Sequence, residues 1–481
     1  MVPLIAVITV ITENSANRAS IIQNMSISLR NFIIFNPLFS SKEGDEAKKI
    51  LFYHPAEVEL DTQIKEIGLC EAILKFAGTY TKHDSCEVVR TQKTIQLYYE
   101  PEPNFWMIMT INAPHDTKQK DNIEYNEYRG DEVHEKVYRS ILKQTYRMFR
   151  LFCGSFQNHI PAGQGYSVVP LELVNKLKEF YLEYITTMRL EDNNIFDIFC
   201  STPYLPLNEL LFLRVHNFVQ LIQSSFPMIS HCVLFCNEHV VWSDINPTDL
   251  YSINEYMHST FFVKLHQGQS NLCSFARGSL ADLAESTEFA GVNRVAPIIH
   301  IFNEKKVRKF QLLVYRLLDG VICLLVDEAT EITKEIFDEL FIHFKIGQQL
   351  TTINDEILKF QQTEMSPSAD KSDSGPKFIF FNELSFKHTE SLRLNQKQCR
   401  PKNVPVDVMN LITDLYEADI RNKRPCAKES IVKTLNDYWI VCRKSNYRHF
   451  FVIVHRNSTM LEITEEAKRL YNVHAQDVFF E

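Results

Sequence analysis

The chain has 481 residues, of which 45% are hydrophobic and 23% charged. That is an ordinary balance for a folded protein, with apolar material for about three domains. A formal net charge of −9 argues against a general affinity for nucleic acid, and only 13 glycines argue against folds built on glycine-rich phosphate loops. Eleven cysteines without a regular framework suit free thiols in a reducing cytosol.

The opening stretch, MVPLIAVITVIT, lacks a basic leader region and a small-residue cleavage site, and is too short to span a bilayer. It reads as a loose tail or an extra edge segment. No other stretch reaches transmembrane length, so any membrane contact is expected to be peripheral. Phe32–Pro55 then sets the plan. An aromatic and β-branched run, Phe32-Ile33-Ile34-Phe35, stops at Asn36-Pro37, because proline cannot continue a ladder. A polar loop over 40–47 leads to a second strand, Ile50-Leu51-Phe52-Tyr53, stopped by Pro55.

A helix is expected over 57–77. Leu60, Ile64, Ile67, Cys70, Leu74 and Ala77 form one apolar stripe, and Leu69, Ile73 and Phe76 a second one beside it. So wide an arc is covered either by another helix of the same domain or by a partner subunit. Strands follow at 87–90, 94–99 and 105–111, and a polar connection over 113–130. The helix expected at 131–153 carries Lys136, Arg139, Lys143, Arg147 and Arg150 on one face. This is either a solvated face or a patch for an anionic membrane or an acidic protein.

Helical patterning runs from 171 to about 224, broken at Pro203–Pro206. A second unit opens at CVLFCNEHVVWSD, with its turn at Asn237-Glu238. Its Cys232, Cys236 and His239 lack a further cysteine pair at zinc spacing and read as buried thiols in a strand. The unit continues with a helix at 247–262, strands near 297–302, 310–317 and 321–326, a hairpin turn at Asp319-Gly320, and a helix over 334–363. The segment EMSPSADKSDSGPK, 364–377, is a linker with almost nothing to bury. A third unit follows. Phe378-Ile379-Phe380-Phe381-Asn382 echoes Phe32 to Asn36, and Asp437-Tyr438-Trp439-Ile440-Val441 reads as the counterpart of Asn104 to Ile108. A helix at 406–420, strands at 430–434, 438–443 and 449–454, and a closing helix near 463–472 complete it.

Each unit thus reads β-β-α-β-β-β-α, an α+β fold with a five-stranded, mostly antiparallel sheet flanked by helices. The expected boundaries are a tail over 1–30, a first domain with helical extension over 31–225, a second over 231–363, a linker over 364–377 and a third over 378–481. No G-x-x-x-x-G-K-[ST], H-E-x-x-H or G-x-S-x-G motif is present. PAGQGYS has Val168 where a dinucleotide loop needs its third glycine, so it reads as a plain turn. Surface recognition is therefore the better starting point than catalysis.

The repeated unit resembles a longin domain, and three in one chain resemble the tri-longin proteins. FNP-x-F, EGDE with Lys48 to Pro55, Gly68-Leu69-Cys70-Glu71-Ala72, Glu102 to Met107 and Asp437-Tyr438-Trp439 are similar to the Ccz family of the Mon–Ccz exchange complex. Residues 1 to about 30 fall outside that resemblance, and Ala47 stands where its pattern is usually acidic. The resemblance implies part of a guanine-nucleotide exchange factor for the late-endosomal Rab (Rab seven). It also implies an obligate Mon partner, a third scaffold subunit in animals, no cofactor, and peripheral recruitment to late-endosomal, lysosomal and autophagosomal membranes. A tri-longin tether or adaptor without exchange activity is the alternative. On this reading Asn36, Pro37, Lys48, Lys49, His54 and Pro55 are the candidate Rab contacts. Leu69, Ile73 and Phe76 are the candidate partner face, and Lys136, Arg139, Lys143, Arg147 and Arg150 the candidate membrane face.

Overall fold

Alternation of apolar side chains above and below a strand decides the first sheet, and each buried apolar side chain contributes about 1.5–3 kcal/mol. The structure is a computed structural model describing residues 27–40, 42–80, 86–120, 123–130, 133–161, 165–166, 168–188, 190, 196–262, 274–276, 283–285, 297–303, 306–317, 320–332, 339, 346–364, 376–391, 404–421, 428–434, 436–445, 447–455 and 459–474. It divides into two compact units, Met1–Tyr146 with Ser155–Asn194, and Arg147–Gly154 with Ile195–Glu481.

In the first unit, β1 (Ser28–Phe35), β2 (Ile50–His54), β3 (Val88–Arg90), β4 (Thr94–Glu102) and β5 (Phe105–Asn112) form an antiparallel sheet in the order β2-β1-β5-β4-β3. The turn Pro103-Asn104 joins β4 to β5, with Asn104 in the left-handed region that asparagine tolerates. Ile33, Phe35, Tyr53, Tyr98 and Ile108 point to one face, where Ile67 and Cys70 of α1 (Leu60–Tyr80) close the core. Phe32 and Phe52 point to the other face and meet Tyr181 at ring distances of 5.1 and 5.6 Å. The expected polar connection at 113–130 instead forms a small hairpin, β6 (His115–Lys120) with β7 (Ile123–Tyr128). Its polar cross-strand pairs, such as Thr117 with Asn126, give no hydrophobic alternation to read.

Helix α2 (Glu135–Cys153) sends Tyr146 to Glu102, whose buried carboxylate also accepts the backbone N–H groups of Phe156 and Gln157. Helix α3 (Leu171–Thr187) buries Leu173, Leu177 and Tyr181 in the same unit.

The expected first boundary at 225 falls too late. Within the second unit, α4 (Phe196–Phe199) and β8 (Thr202–Pro203) belong with the third sheet. Helix α5 (Glu209–Ser225) buries Leu211, Val215, Phe218 and Ile222 in the middle core. Helical periodicity reveals an apolar face but not which sheet it covers.

The middle sheet comprises β9 (Ile229–Cys236), β10 (His239–Ser243), β11 (Ser274–Ala276), β12 (Leu283–Glu285), β13 (Ile298–Asn303), β14 (Lys306–Leu317) and β15 (Gly320–Asp327). Its main ladder runs β10-β9-β15-β14-β13, with β11 and β12 added at β14. Asn237-Glu238, both at positive φ, makes the expected hairpin turn. Residue 319 lies outside the described residues, and Gly320 pairs with Leu317. Helix α6 (Pro247–Tyr256) continues as a π-helical turn to Phe262. Of the helix expected over 334–363, α7 (Ile346–Glu364) is formed, and most of 333–345 lies outside the described residues.

The third sheet has β16 (Lys377–Asn382), β17 (Lys387–Glu390), β18 (Lys428–Lys433), β19 (Tyr438–Ser445) and β20 (Arg448–His455), in the order β17-β16-β20-β19-β18. Helix α8 (Val406–Arg421) covers the face carrying Ile379, Phe381 and Phe451, and α9 (Met460–His474) packs on β19 and β20. All three sheets therefore share one order, second-first-fifth-fourth-third.

The echo of Phe32–Asn36 in Phe378–Asn382 extends to its stop. Asn36 Oδ1 accepts from Leu38 N, and Asn382 Oδ1 from Leu384 N, both at 2.9 Å. The other expected counterpart is corrected. Trp106 lies on the fifth strand of its sheet, Trp439 on the fourth of its own. A local Asn/Asp-aromatic-Trp pattern does not encode strand order.

The third domain, expected over 378–481, also takes in residues from before the middle sheet. Phe196 and Phe199 lie in the core of the third sheet, and β8 pairs with β17. Most of the linker, 365–375, lies outside the described residues.

Candidate recognition face of the first domain

The strand-end residues divide. In an antiparallel pair the end of β1 meets the start of β2, so Asn36 and Pro37 lie with Lys48 and Lys49; Asn36 N donates to Lys49 O at 3.0 Å. His54 pairs with Phe32 at the opposite end, and Pro55 follows it. The six therefore do not form one cluster. Asn36 is fully buried and caps the short 3-10 turn Pro37–Phe39, leaving Leu38 outward.

Lys48 is exposed and pairs with Asp45 at 2.7 Å, a bond that holds the Asp45 carboxyl below its usual range. Lys49 is committed inside the fold. Its ammonium lies 2.7 Å from Glu71 of α1, with side-chain exposures of 16% and 14%. Burial pushes the Glu71 carboxyl up. The Lys49 and Lys75 ammonium groups outweigh that and hold it below the ordinary range. Next to this clamp, Glu66 accepts from Asn31 at 2.8 Å and from Tyr53 at 2.6 Å, tying α1 to both strands of the hairpin. Burial, with Glu66 beside it, raises the Tyr53 hydroxyl, and burial pushes the Cys70 thiol up to about 11.

So held, α1 presents an outward apolar face. Leu69 is 58% exposed and Phe76 65%. Ile73 turns inward and packs on the core of Ile33, Phe35 and Tyr98, so it leaves the candidate partner face. Sequence periodicity missed Tyr80, because the helix was expected to end at 77. The helix runs three residues further, and Tyr80, 75% exposed, meets Phe76 edge-on at 5.0 Å. Gly68, Ala72, Phe76 and Tyr80 stand four residues apart on this exposed face, beside Leu69. A Cβ on Gly68 would meet nothing within 4 Å, so no contact inside the chain requires a glycine there. Glycine in a helix costs about 0.5–1 kcal/mol relative to alanine.

The basic stripe on α2 is partly engaged within the chain. Lys136, Arg139, Lys143, Arg147 and Arg150 are all half-buried. Arg139 bonds Glu87 at 2.5 Å. In the second unit, Arg147 lies over the Tyr251 ring at 5.1 Å and Arg150 over the Phe302 ring at 3.6 Å. These three guanidinium groups are engaged with a carboxylate and with aromatic faces. Charge spacing alone does not reveal what another element lays across it.

Cys232 and Cys236 are buried, Cys236 Sγ lies 2.8 Å from Asn354 Oδ1, and His239 Nδ1 lies 2.8 Å from the Asn237 carbonyl. Among the described residues, no group of three or more His, Cys, Asp or Glu could hold a metal ion, and no helix is long and apolar enough to cross a membrane.

Comparison with known proteins places this architecture. Residues 29–154 match the family described as "First Longin domain of INTU, CCZ1 and HPS4". Residues 229–344 match "Intu longin-like domain 2", and 372–470 match "Intu longin-like domain 3". A "Vacuolar fusion protein CCZ1 homolog" of Nematostella vectensis is 34% identical over 472 residues, 94% of this chain and 98% of that protein. Those of Xenopus laevis and Dictyostelium discoideum are 30% and 24% identical, over 94% and 92% of this chain and 97% and 95% of theirs. With a longin match in each of its three sheets and relatives of one name along nearly its whole length, the chain belongs to the vacuolar fusion protein CCZ1 homolog family.

Proposed function

We propose that this chain is the Ccz-type subunit of a heterodimeric guanine-nucleotide exchange factor. It acts with a Mon-type longin subunit on the late-endosomal Rab (Rab seven) in vesicle traffic toward the lysosome or vacuole. The observation that carries the reading is the outward face of α1, where Leu69, Phe76 and Tyr80 stand exposed around Gly68 and Ala72. An apolar helix face kept in water marks an interaction surface. The unconstrained glycine supports it further, since it lets a second backbone approach closely. The relatives' name, vacuolar fusion protein, supports the cellular direction.

Exchange needs no nucleophile from the catalyst. A GTPase holds its nucleotide with its own phosphate loop, magnesium and switch segments. A factor that binds the open, nucleotide-free state more tightly than the closed one shifts the balance toward release. A rigid sheet carrying a shaped margin can do that. Lys48, exposed and paired with Asp45, and the exposed Leu38 lie at the Asn36 end of the hairpin, where a switch segment can reach them.

The test is nucleotide release from the Rab, loaded with a fluorescent guanine nucleotide, on adding this chain together with the Mon subunit. Accelerated release by the pair, and little by this chain alone, supports the reading. Rab binding without accelerated release makes the chain a tether or adaptor instead.

A further inference from the structure

The stop that Asn36 and Asn382 share is followed each time by an exposed leucine, Leu38 and Leu384. In the third sheet that leucine has apolar company. β16 turns into β17 over 383–386, and β19 into β20 through Tyr447. The two turns lie side by side at one end of the sheet, because β16 pairs with β20 and Asn382 stands opposite Arg448. Glu383 N donates to Tyr447 O at 2.8 Å and ties the turns together. At this end Leu384, Phe386 and Tyr447 are 66%, 37% and 50% exposed.

The seat beneath them is well held. The Glu383 carboxylate lies 2.5 Å from Nε2 of the fully buried His449 and 3.9 Å from the Lys444 ammonium. Thr202 N donates to Phe386 O at 2.7 Å. Phe386 has φ +50°, so the backbone alone favours glycine or asparagine at this position. The local charge is positive although the whole chain carries −9. Among the described residues of 382–388 and 444–449, Lys387, Lys444 and Arg448 stand against the single carboxylate of Glu383.

We propose that this end of the third domain inserts Leu384, Phe386 and Tyr447 into the headgroup region of an anionic lipid bilayer. A stable protein interface takes about 800 Å² from each partner. Three partly exposed side chains on two turns offer much less apolar surface than that. A bilayer accepts side chains that project from turns without a matching shape. Tyrosine, apolar along its ring and polar at its tip, suits the boundary between headgroups and acyl chains. The basic groups behind the turns add attraction to an anionic surface, and salt screens it. The surface is distinct from the α1 face, and the inference does not rest on exchange activity.

The test is sedimentation of the full chain with vesicles of phosphatidylcholine, with and without phosphatidylserine. Wild type is expected to bind the phosphatidylserine vesicles, less so in high salt, and to bind pure phosphatidylcholine poorly. Leu384→Ser/Tyr447→Ser should bind roughly tenfold less while its circular dichroism melt stays that of wild type. Leu384→Trp, which keeps an apolar side chain on the turn, should bind at least as well as wild type. Equal sedimentation of wild type and the double variant would overturn the proposal, as would equal binding to both kinds of vesicle or weak binding by Leu384→Trp. Unchanged vesicle binding with lost co-purification of the Mon subunit would give these turns to a protein partner instead.

Discussion

At Lys49 a single ion pair separates folding from recognition. Its ammonium joins the start of β2 to Glu71 on α1, and both side chains are mostly shielded. Lys49→Met is expected to lower stability by about 1 kcal/mol at neutral pH, after allowance for solvent and for the remaining Lys75 contact. Because Glu71 is held below its ordinary range, this contribution is present above the unfolded carboxyl's value and is lost as pH falls through the folded one. Urea unfolding at pH 7 and pH 3 checks this: the gap between wild type and Lys49→Met should shrink in acid. Lys49→Glu would set a like charge against Glu71, so a loss of exchange in that variant would not isolate a Rab contact. Lys48→Glu, at an exposed position, should leave the urea midpoint unchanged and lower the exchange rate. Gly68→Ala should stabilise the free chain by about 0.5–1 kcal/mol and weaken partner binding, seen as a raised midpoint with poorer co-purification.

Among the elements, α1 divides its stripes differently from the helical wheel. Ile73 serves the domain's own core, whereas Leu69, Phe76 and Tyr80 face outward. Ile73→Asp should therefore unfold the first domain, with a loss of about 3 kcal/mol or more. Leu69→Asp and Phe76→Asp should melt normally and fail to co-purify with the Mon subunit. Circular dichroism melting beside affinity co-purification distinguishes the two classes. Helix α2 carries a second lesson. Its arginines sit on Tyr251, Phe302 and Glu87, so Arg150→Ala should destabilise by about 1 kcal/mol. The existence of these helices and of the Asn36 and Asn382 stops was legible, because periodicity and turn chemistry are local. What α2 lies against was not, because no local pattern states which distant ring a guanidinium will find. Tyr80 escaped because helix ends are the least determined part of a periodic pattern.

For the whole molecule, the threefold repetition of one unit was legible and its boundaries were not. The run of 196–225 reads as a continuation of the first unit, yet its residues complete the cores of the other two. A chain ending at Thr363 would leave Phe196, Phe199 and β8 without the third sheet they cover. It is expected to show more soluble aggregate in size-exclusion chromatography than full-length protein. The central claim, that the first longin domain offers α1 to a second subunit and that the pair opens the Rab, is tested most directly by one comparison. Nucleotide release from the Rab is measured with the Mon subunit and either the wild-type chain or Leu69→Asp/Phe76→Asp at saturating Mon concentration. The account predicts rapid release with wild type and release no faster than the intrinsic rate with the double variant. Equal acceleration by both chains would contradict it.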